Sequence, residues 1–489
     1  MTADLNRLFA ALGSHADAMP LADPGTVRDR PGGRGRLLVA VAAALLLLAG
    51  TAIGIGWLTG PRRTPDPALP PVPPGQFTAL TPVGPGISMR FGPLDQGGAY
   101  GMASVVGERA FVAGRTPDGN LRIGAIDLAT GRPAWPTRNL GRWGDWNGMT
   151  ALPQGVIVIG ERDDGTTPDH VAMIVDPATG ALRWQIGVDD LQFEPYESVL
   201  VVLSSTEHLI RGLDWRTGAE RWRRPVAPGT GTQIVGNRST TAAPVAHGPL
   251  GAATAPNDHR LLVVDPTGTL HVHDARTGDP IATHGGVADP ASRYQAYDGM
   301  LYAVSTTRPT RIRAFDLDRP DGMHTLYTAA PDDDRFVDGV MPCGPGRICL
   351  FSRGSPGPDP ATDTTEIVAV DVAKRRDLWR RPAPGGQFAA ALGNRILTGS
   401  GQLYDGDGRQ LLDTPHAVTG WVSPGSLLVL SRPDATDTRA DVEVAGASAE
   451  DGTRTPLGRI PAMSGYCSWS TTVLVCPTAD GFKAWRFAG

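Results

Sequence analysis

Three stretches decide the fold: IGAIDLATGRPAW (residues 123–135), AMIVDPATGALRW (172–184) and RGLDWRTGAERW (211–222). Aligned on the aspartate, they share D-x-x-T-G-x-x-x-W: Asp127, Thr130, Gly131, Trp135; Asp176, Thr179, Gly180, Trp184; Asp214, Thr217, Gly218, Trp222. A fourth copy, Asp274, Thr277, Gly278, carries Ala282 in place of the tryptophan. A later one keeps Asp371 and Trp379 but has Lys374 and Arg375 where Thr-Gly stands elsewhere. Weaker turns lie at Asp316, Asp405 and Asp451. The residues before each aspartate are apolar or alternating, which predicts a strand. The aspartate can bond the turn amides that follow it, and the glycine supplies the positive φ of a tight turn. The tryptophan then falls on the next strand, where it can bury a large apolar area against a neighbouring repeat.

The aspartates recur about every 45 residues, the size of one four-stranded propeller blade. Units start near residues 99, 147, 190, 240, 293, 336, 386 and 418, and the segment 465–487 adds further strands. The short run 86–91 is a candidate closing strand from the N-terminal side. The motif resembles the tryptophan-docking repeat of PQQ-type β-propellers, over about residues 99–489. That class includes quinoprotein alcohol dehydrogenases and the propeller lipoprotein of outer-membrane β-barrel assembly. The resemblance implies an all-β, ring-closed propeller of about eight blades, with seven to nine open. It also implies that Trp135, Trp184 and Trp222 lie buried between blades.

Quinoenzymes of this class hold their cofactor between a tryptophan and a disulfide of adjacent cysteines, with calcium bound nearby. None of the four cysteines here is adjacent to another, and no matching acid and amide set is present. No cofactor is therefore expected, and no quinone-dependent activity. No GxSxG, P-loop, HExxH or DNA-binding signature occurs either, so nothing in the sequence makes a positive case for a hydrolytic enzyme. A net charge of −5 and a pI near 6.1 argue against nucleic acid as a partner. His271 and His273 in LHVHDA, with His284 nearby, are a weak metal candidate; half-exposed strand residues are the blander reading. The run Asp405-Gly406-Asp407-Gly408 superficially resembles a calcium loop but lacks the downstream glutamate. The acidic runs 332–334 and 163–165 read as solvated loop tips.

The four cysteines fall in two close pairs, Cys343 with Cys349 and Cys467 with Cys476. In the first, Gly-Pro-Gly forms a turn between them; in the second, Ser-Thr-Thr separates two apolar flanks. Facing hairpin positions have Cα atoms within disulfide reach, so two short-range disulfides are expected.

The chain outside the repeats sets its placement. Residues 37–58, LLVAVAAALLLLAGTAIGIGWL, carry no charge and span roughly 33 Å as a helix, enough to cross a bilayer. Arg28, Arg30, Arg34 and Arg36 precede it, against Arg62 and Arg63 after it, which places the N-terminus in the cytoplasm. The expected organisation is a cytoplasmic tail (1–36), a transmembrane helix (37–58), a proline-rich linker (59–84) and an extracytoplasmic propeller (85–489). Leu5, Leu8, Phe9 and Leu12 have helical spacing, so the tail can form one short amphipathic helix. The layout faintly resembles membrane-bound anti-sigma factors, although their zinc-binding HxxxCxxC is missing. Two function classes follow. One is a membrane-anchored binding propeller for a protein, peptide or envelope ligand at its loops; the other is a sensor that reports through the tail.

Overall fold

The computed structural model describes residues 76–92, 101–161, 170–188, 191–228, 231–240, 258–287, 292–319, 322–330, 333, 335–354, 365–383, 390–433 and 439–489. The expected tail, transmembrane helix and most of the linker lie outside these residues. No helix among the described residues is long and apolar enough to cross a membrane.

The described residues form antiparallel meanders of four strands each, joined in chain order. Blade 1 spans 101–142, blade 2 145–187, blade 3 191–225, blade 4 233–284 and blade 5 292–328. Blade 6 spans 336–382, blade 7 390–412 and blade 8 418–460. The ninth combines Ser468–Trp469, Val473–Thr478 and Gly481–Ala488 with Phe77–Pro82 from the other end of the chain. Nine meanders sit at the upper end of the expected range, because the C-terminal segment and the N-terminal strand together complete one full unit. Phe77 pairs with Ala488 and Pro82 with Trp485, while Ile87–Ser88 pairs with Phe482 and Gly481. The sheet thus begins inside the span assigned to the linker. The boundary expected at residue 85 moves to Phe77, since an alternating FTALTP strand has a partner edge to pair with.

The core is divided into clusters that each join two consecutive blades. One packs Phe111 and Trp135 of blade 1 on Met149 and Val158 of blade 2. Others join blade 3 to 4 through Trp222 and Val263, and blade 8 to 9 through Val444 and Phe487. The last packs Val475 and Phe482 of blade 9 on Val112 and Ile126 of blade 1. Contacts between the ends of the series make the described residues a closed β-propeller.

First strands of successive blades lie against one another around the axis, as in blades 1 and 2, 3 and 4, and 5 and 6. Side chains stitch them together. Ser468 Oγ accepts from the Val105 amide (2.9 Å), Ser104 Oγ from Ala151 (3.2 Å), and Gln192 Oε1 from Ile234 (3.2 Å). Gln233 Nε2 donates to the Ser292 carbonyl (2.8 Å), and Gln295 Oε1 accepts from Val340 (2.7 Å). Blades 4 and 5 are further tied by two parallel pairs, Asn237 with Ala296 and Arg238 with Tyr297. Second strands are covered on both faces, so they read as near-continuous apolar runs such as LVVLS (Leu200–Ser204).

Candidate functional site

The most elaborate local constructions in the molecule are the D-x-x-T-G turns between third and fourth strands. Asp127, Asp176 and Asp214 each accept the amide of the threonine three residues on, at 2.9, 3.0 and 2.8 Å. The amides of Gly131, Gly180 and Gly218 donate back to those aspartates' own carbonyls, at 2.8–2.9 Å. The glycines sit at φ of 64, 72 and 69°, which closes the turn. Asp371 holds the Lys374 amide in the same way, with Arg375 at φ 52° in the glycine's place.

Each tryptophan reaches across to the next blade's turn. Trp135 Nε1 donates to the Pro177 carbonyl (3.4 Å), Trp184 to Trp215 (3.0 Å), Trp222 to Ala275 (3.0 Å) and Trp379 to Gly406 (2.9 Å). In every case the acceptor is the residue directly after the next turn's aspartate. The indole also lies on that turn's glycine. A Cβ on Gly180 would come within 2.5 Å of Trp135, on Gly218 within 2.8 Å of Trp184, and on Gly278 within 2.6 Å of Trp222. The glycine therefore serves twice, for its φ and for its missing side chain. After blades 4 and 5, which lack the indole, the glycine goes too. Ala282 and His324 hold the tryptophan's register position in blades 4 and 5, opposite Val272 and Ala314. The turns after them carry Pro320 and Arg375 at the glycine's position. At Gly131 and Gly452 the backbone at Val83 and Leu411 takes the indole's place.

Arginines reinforce three of these acceptors. Arg109 donates to Pro177 and Arg183 to Trp215, while Arg347 donates to Gly406. Further out, Arg224 and Arg381 donate to the Gly278 and Gly408 carbonyls at 2.8 and 2.7 Å. These last two stand in identical WRRP segments, 222–225 and 379–382, a repeat signal that the aspartate-centred alignment passed over.

Trp135 and Trp222 are buried, at 5 and 8 % exposure. Trp184 is half-buried, contrary to the expectation. Its junction is filled by Trp215, which is 5 % exposed, packs on Gly155 and donates to the Tyr196 carbonyl at 2.8 Å. Trp184 is left at the rim of that cluster.

The turn aspartates are held in the ionised form. Burial pushes the Asp214 carboxyl up, but the Arg221 guanidinium, the Thr217 hydroxyl and the amides of Thr217 and Arg216 outweigh it and hold it at about 2. Asp176 follows the same logic through Arg183. A carboxylate with a depressed folded-state pKa adds stability above its unfolded value, near 4, and that contribution is lost as pH falls toward the folded value. The melting-temperature gap between wild type and Asp214→Asn is therefore expected to be largest near neutrality and to shrink as pH falls from about 4 to 2. A gap unchanged over that range would exclude the carboxylate's role.

His271 Nε2 lies 3.4 Å from Asp265 Oδ2, and His273 Nδ1 lies 3.2 Å from the Gly278 carbonyl. His284 is opposite Leu270, so it falls on the other face of the sheet and stacks near Phe315. The metal candidate is not assembled, and among the described residues no group of three His, Cys, Asp or Glu side chains is placed to hold a metal. Asp405 accepts the Asp407 and Arg409 amides at 2.9 Å each, and its loop is the seat of Trp379. Residues 163–165 lie outside the described residues, as do Asp332 and Asp334.

Cys343–Cys349 and Cys467–Cys476 are disulfide-bonded, with Cα separations of 5.7 and 4.3 Å. The first spans the Gly344–Gly346 turn between strands Phe336–Pro342 and Arg347–Arg353. The second continues the register Trp469 with Leu474 and Ser468 with Val475, so the two cysteines face each other.

A polar cluster between blades 3, 4 and 5 had no sequence signal. Glu194, 4 % exposed, meets Arg238 at 2.7 Å, and its carboxyl is pushed up by burial against that guanidinium. Asn237 Nδ2 donates to Asp258, and Arg260 bridges Asp258 and Asp318 at 2.7 and 2.6 Å. The Tyr196 hydroxyl donates to the Arg260 carbonyl at 2.9 Å. These residues come from blades 3, 4 and 5 and the segments between their strands, and only the ring brings them together.

A family model described as PQQ_2, outer membrane protein assembly factor BamB, matches residues 118–242. That span contains all three complete motif copies, those of blades 1, 2 and 3. No curated protein sequence matches the chain. Among solved structures, BamB from Moraxella catarrhalis is similar at 15 % identity, covering 84 % of this chain and 98 % of that one, with a TM-score of 0.36. A eukaryotic initiation factor aligns at 12 % identity over 80 % of this chain and 92 % of that one, TM-score 0.48. The computationally designed Ika8 protein aligns at 13 % over 71 % and 98 %, TM-score 0.40. These likenesses carry no functional argument.

Proposed function

We propose that the protein is a membrane-anchored, extracytoplasmic binding scaffold whose propeller presents its loops to a protein, peptide or envelope ligand. The observation that carries this reading is how the repeat chemistry is used. The motif's aspartates, glycines and tryptophans, and the arginines beside them, bond to turns and neighbouring blades. The recurring chemistry of the chain thus builds a rigid ring, and a rigid ring supports recognition at its loops. The match to the assembly-factor family over residues 118–242 supports the same class, a propeller that works by holding partners. The anchor is the uncharged segment 37–58, with residues 1–36 in the cytoplasm.

The test is protease treatment of intact protoplasts carrying an N-terminal tag. The expected result is loss of the propeller with the tag protected inside the membrane. A protected propeller would overturn the topology. Affinity capture on the same tagged protein, after crosslinking outside the cell, should recover an envelope partner that the tail 1–36 alone does not; recovery by the tail alone would favour the sensor.

A further inference from the structure

The two disulfides occupy different mechanical positions. Cys343–Cys349 closes a hairpin turn within blade 6. Cys467–Cys476 sits where the ring closes. There the chain changes partners within a few residues. Met463 bridges Thr478 and the Ser464 amide donates to the Pro477 carbonyl, both within blade 9. Gly465–Tyr466 then leaves to pair in parallel with Gly101 and Met102 of blade 1. The chain returns at Ser468–Trp469, which has two register pairs with its own blade. Cys467 is the residue between departure and return.

This same stretch joins the ring's neighbours on both sides. Ser468 Oγ accepts the Val105 amide of blade 1, and the Gly101 amide donates to the Ser464 carbonyl. Trp469 is fully buried, donates Nε1 to the Trp421 carbonyl of blade 8 (2.9 Å) and covers Gly420. Two register pairs are a weak tether for a segment that holds three blades. The covalent bond at the switch point keeps residues 465–468 in line with both partners.

We propose that Cys467–Cys476, buried in the core between blades 8 and 9, is a covalent latch on ring closure: it fixes the innermost strand of the closing blade across blades 8, 9 and 1, and without the bond that strand releases the seam with blade 1.

Hydrogen exchange on the full chain tests this with two paired variants, C467S/C476S and C343S/C349S. The expected result is exchange at least tenfold faster at the Gly101 and Val105 amides in the first variant. The Val340 amide, at the junction of blades 5 and 6, should be unchanged, and the second variant should leave the seam as in wild type. Equal seam protection in wild type and C467S/C476S overturns the latch, and so does an equal change in both variants. If C467S/C476S does not fold, wild type is treated with dithiothreitol under native conditions, alkylated and mapped. Faster seam exchange in molecules alkylated at Cys467 and Cys476 supports the latch; unchanged exchange in them refutes it.

Discussion

Deleting residues 483–489 is expected to abolish the folded ring rather than weaken one blade. Gly481–Ala488 is the strand that joins both chain ends: it pairs with Val473–Thr478 on one side and with Phe77–Pro82 and Ile87–Ser88 on the other. The deletion removes Trp485 and Phe487, 6 and 0 % exposed, together with buried Ala484 and Ala488. Two buried aromatics at about 3–5 kcal/mol each already reach the total stability of an ordinary domain, about 5–15 kcal/mol. Their loss also strands Phe77–Pro82 without its ladder partners and leaves an open sheet edge at the gap. Circular dichroism and thermal melting of the truncated protein give the answer. A cooperative transition at the wild-type temperature would mean that the ring does not depend on this closure.

Replacing Trp222 with alanine is expected to cost about 3–5 kcal/mol, the range for a buried aromatic. The indole fills the junction between blades 3 and 4 against Leu261, Val263 and Ala275, and its loss leaves the Ala275 carbonyl without that donor. Trp184→Ala should cost less, because Trp215 remains to fill the same junction. The converse change, Gly278→Ala, attacks the same contact from the other side: the new Cβ meets the Trp222 ring at 2.6 Å on a backbone at φ +71°. Denaturant unfolding of the three variants orders them. A loss below about 1 kcal/mol for Trp222→Ala would contradict the packing described, given the range for buried aromatics.

Much of this architecture is legible in the sequence because the repeat encodes local physics. The apolar run before Asp127 or Asp176 reads as a strand, and the Thr-Gly after it as a turn. The disulfides were legible for the same reason, since each pair flanks its own hairpin. What was not legible depends on register between distant elements. Phe77–Pro82 looks like linker until its partner at the other end of the chain is known. His284 sits near His271 in sequence, yet the pairing of Leu270 with His284 turns it to the opposite face. Glu194 and Arg238 carry no motif, and their meeting depends on how blades 3 and 4 are set side by side. Trp184 shows that a motif residue's burial is set by its neighbours: Trp215 belongs to the next turn and takes the space first.

The seating of each indole on the following turn has a consequence for how such a chain can be rebuilt. The tryptophan and the glycine it covers belong to different repeats, so a blade excised at the sequence period carries half of two joints. Grafting blade 4 behind blade 5 would set His324 against Gly278, a smaller, differently shaped ring over a bare glycine. Grafting blade 6 behind blade 3 would drive Trp222 onto Arg375. The interchangeable module runs instead from one blade's outer strand through the next blade's third strand, and duplications or swaps cut at those borders keep every joint whole.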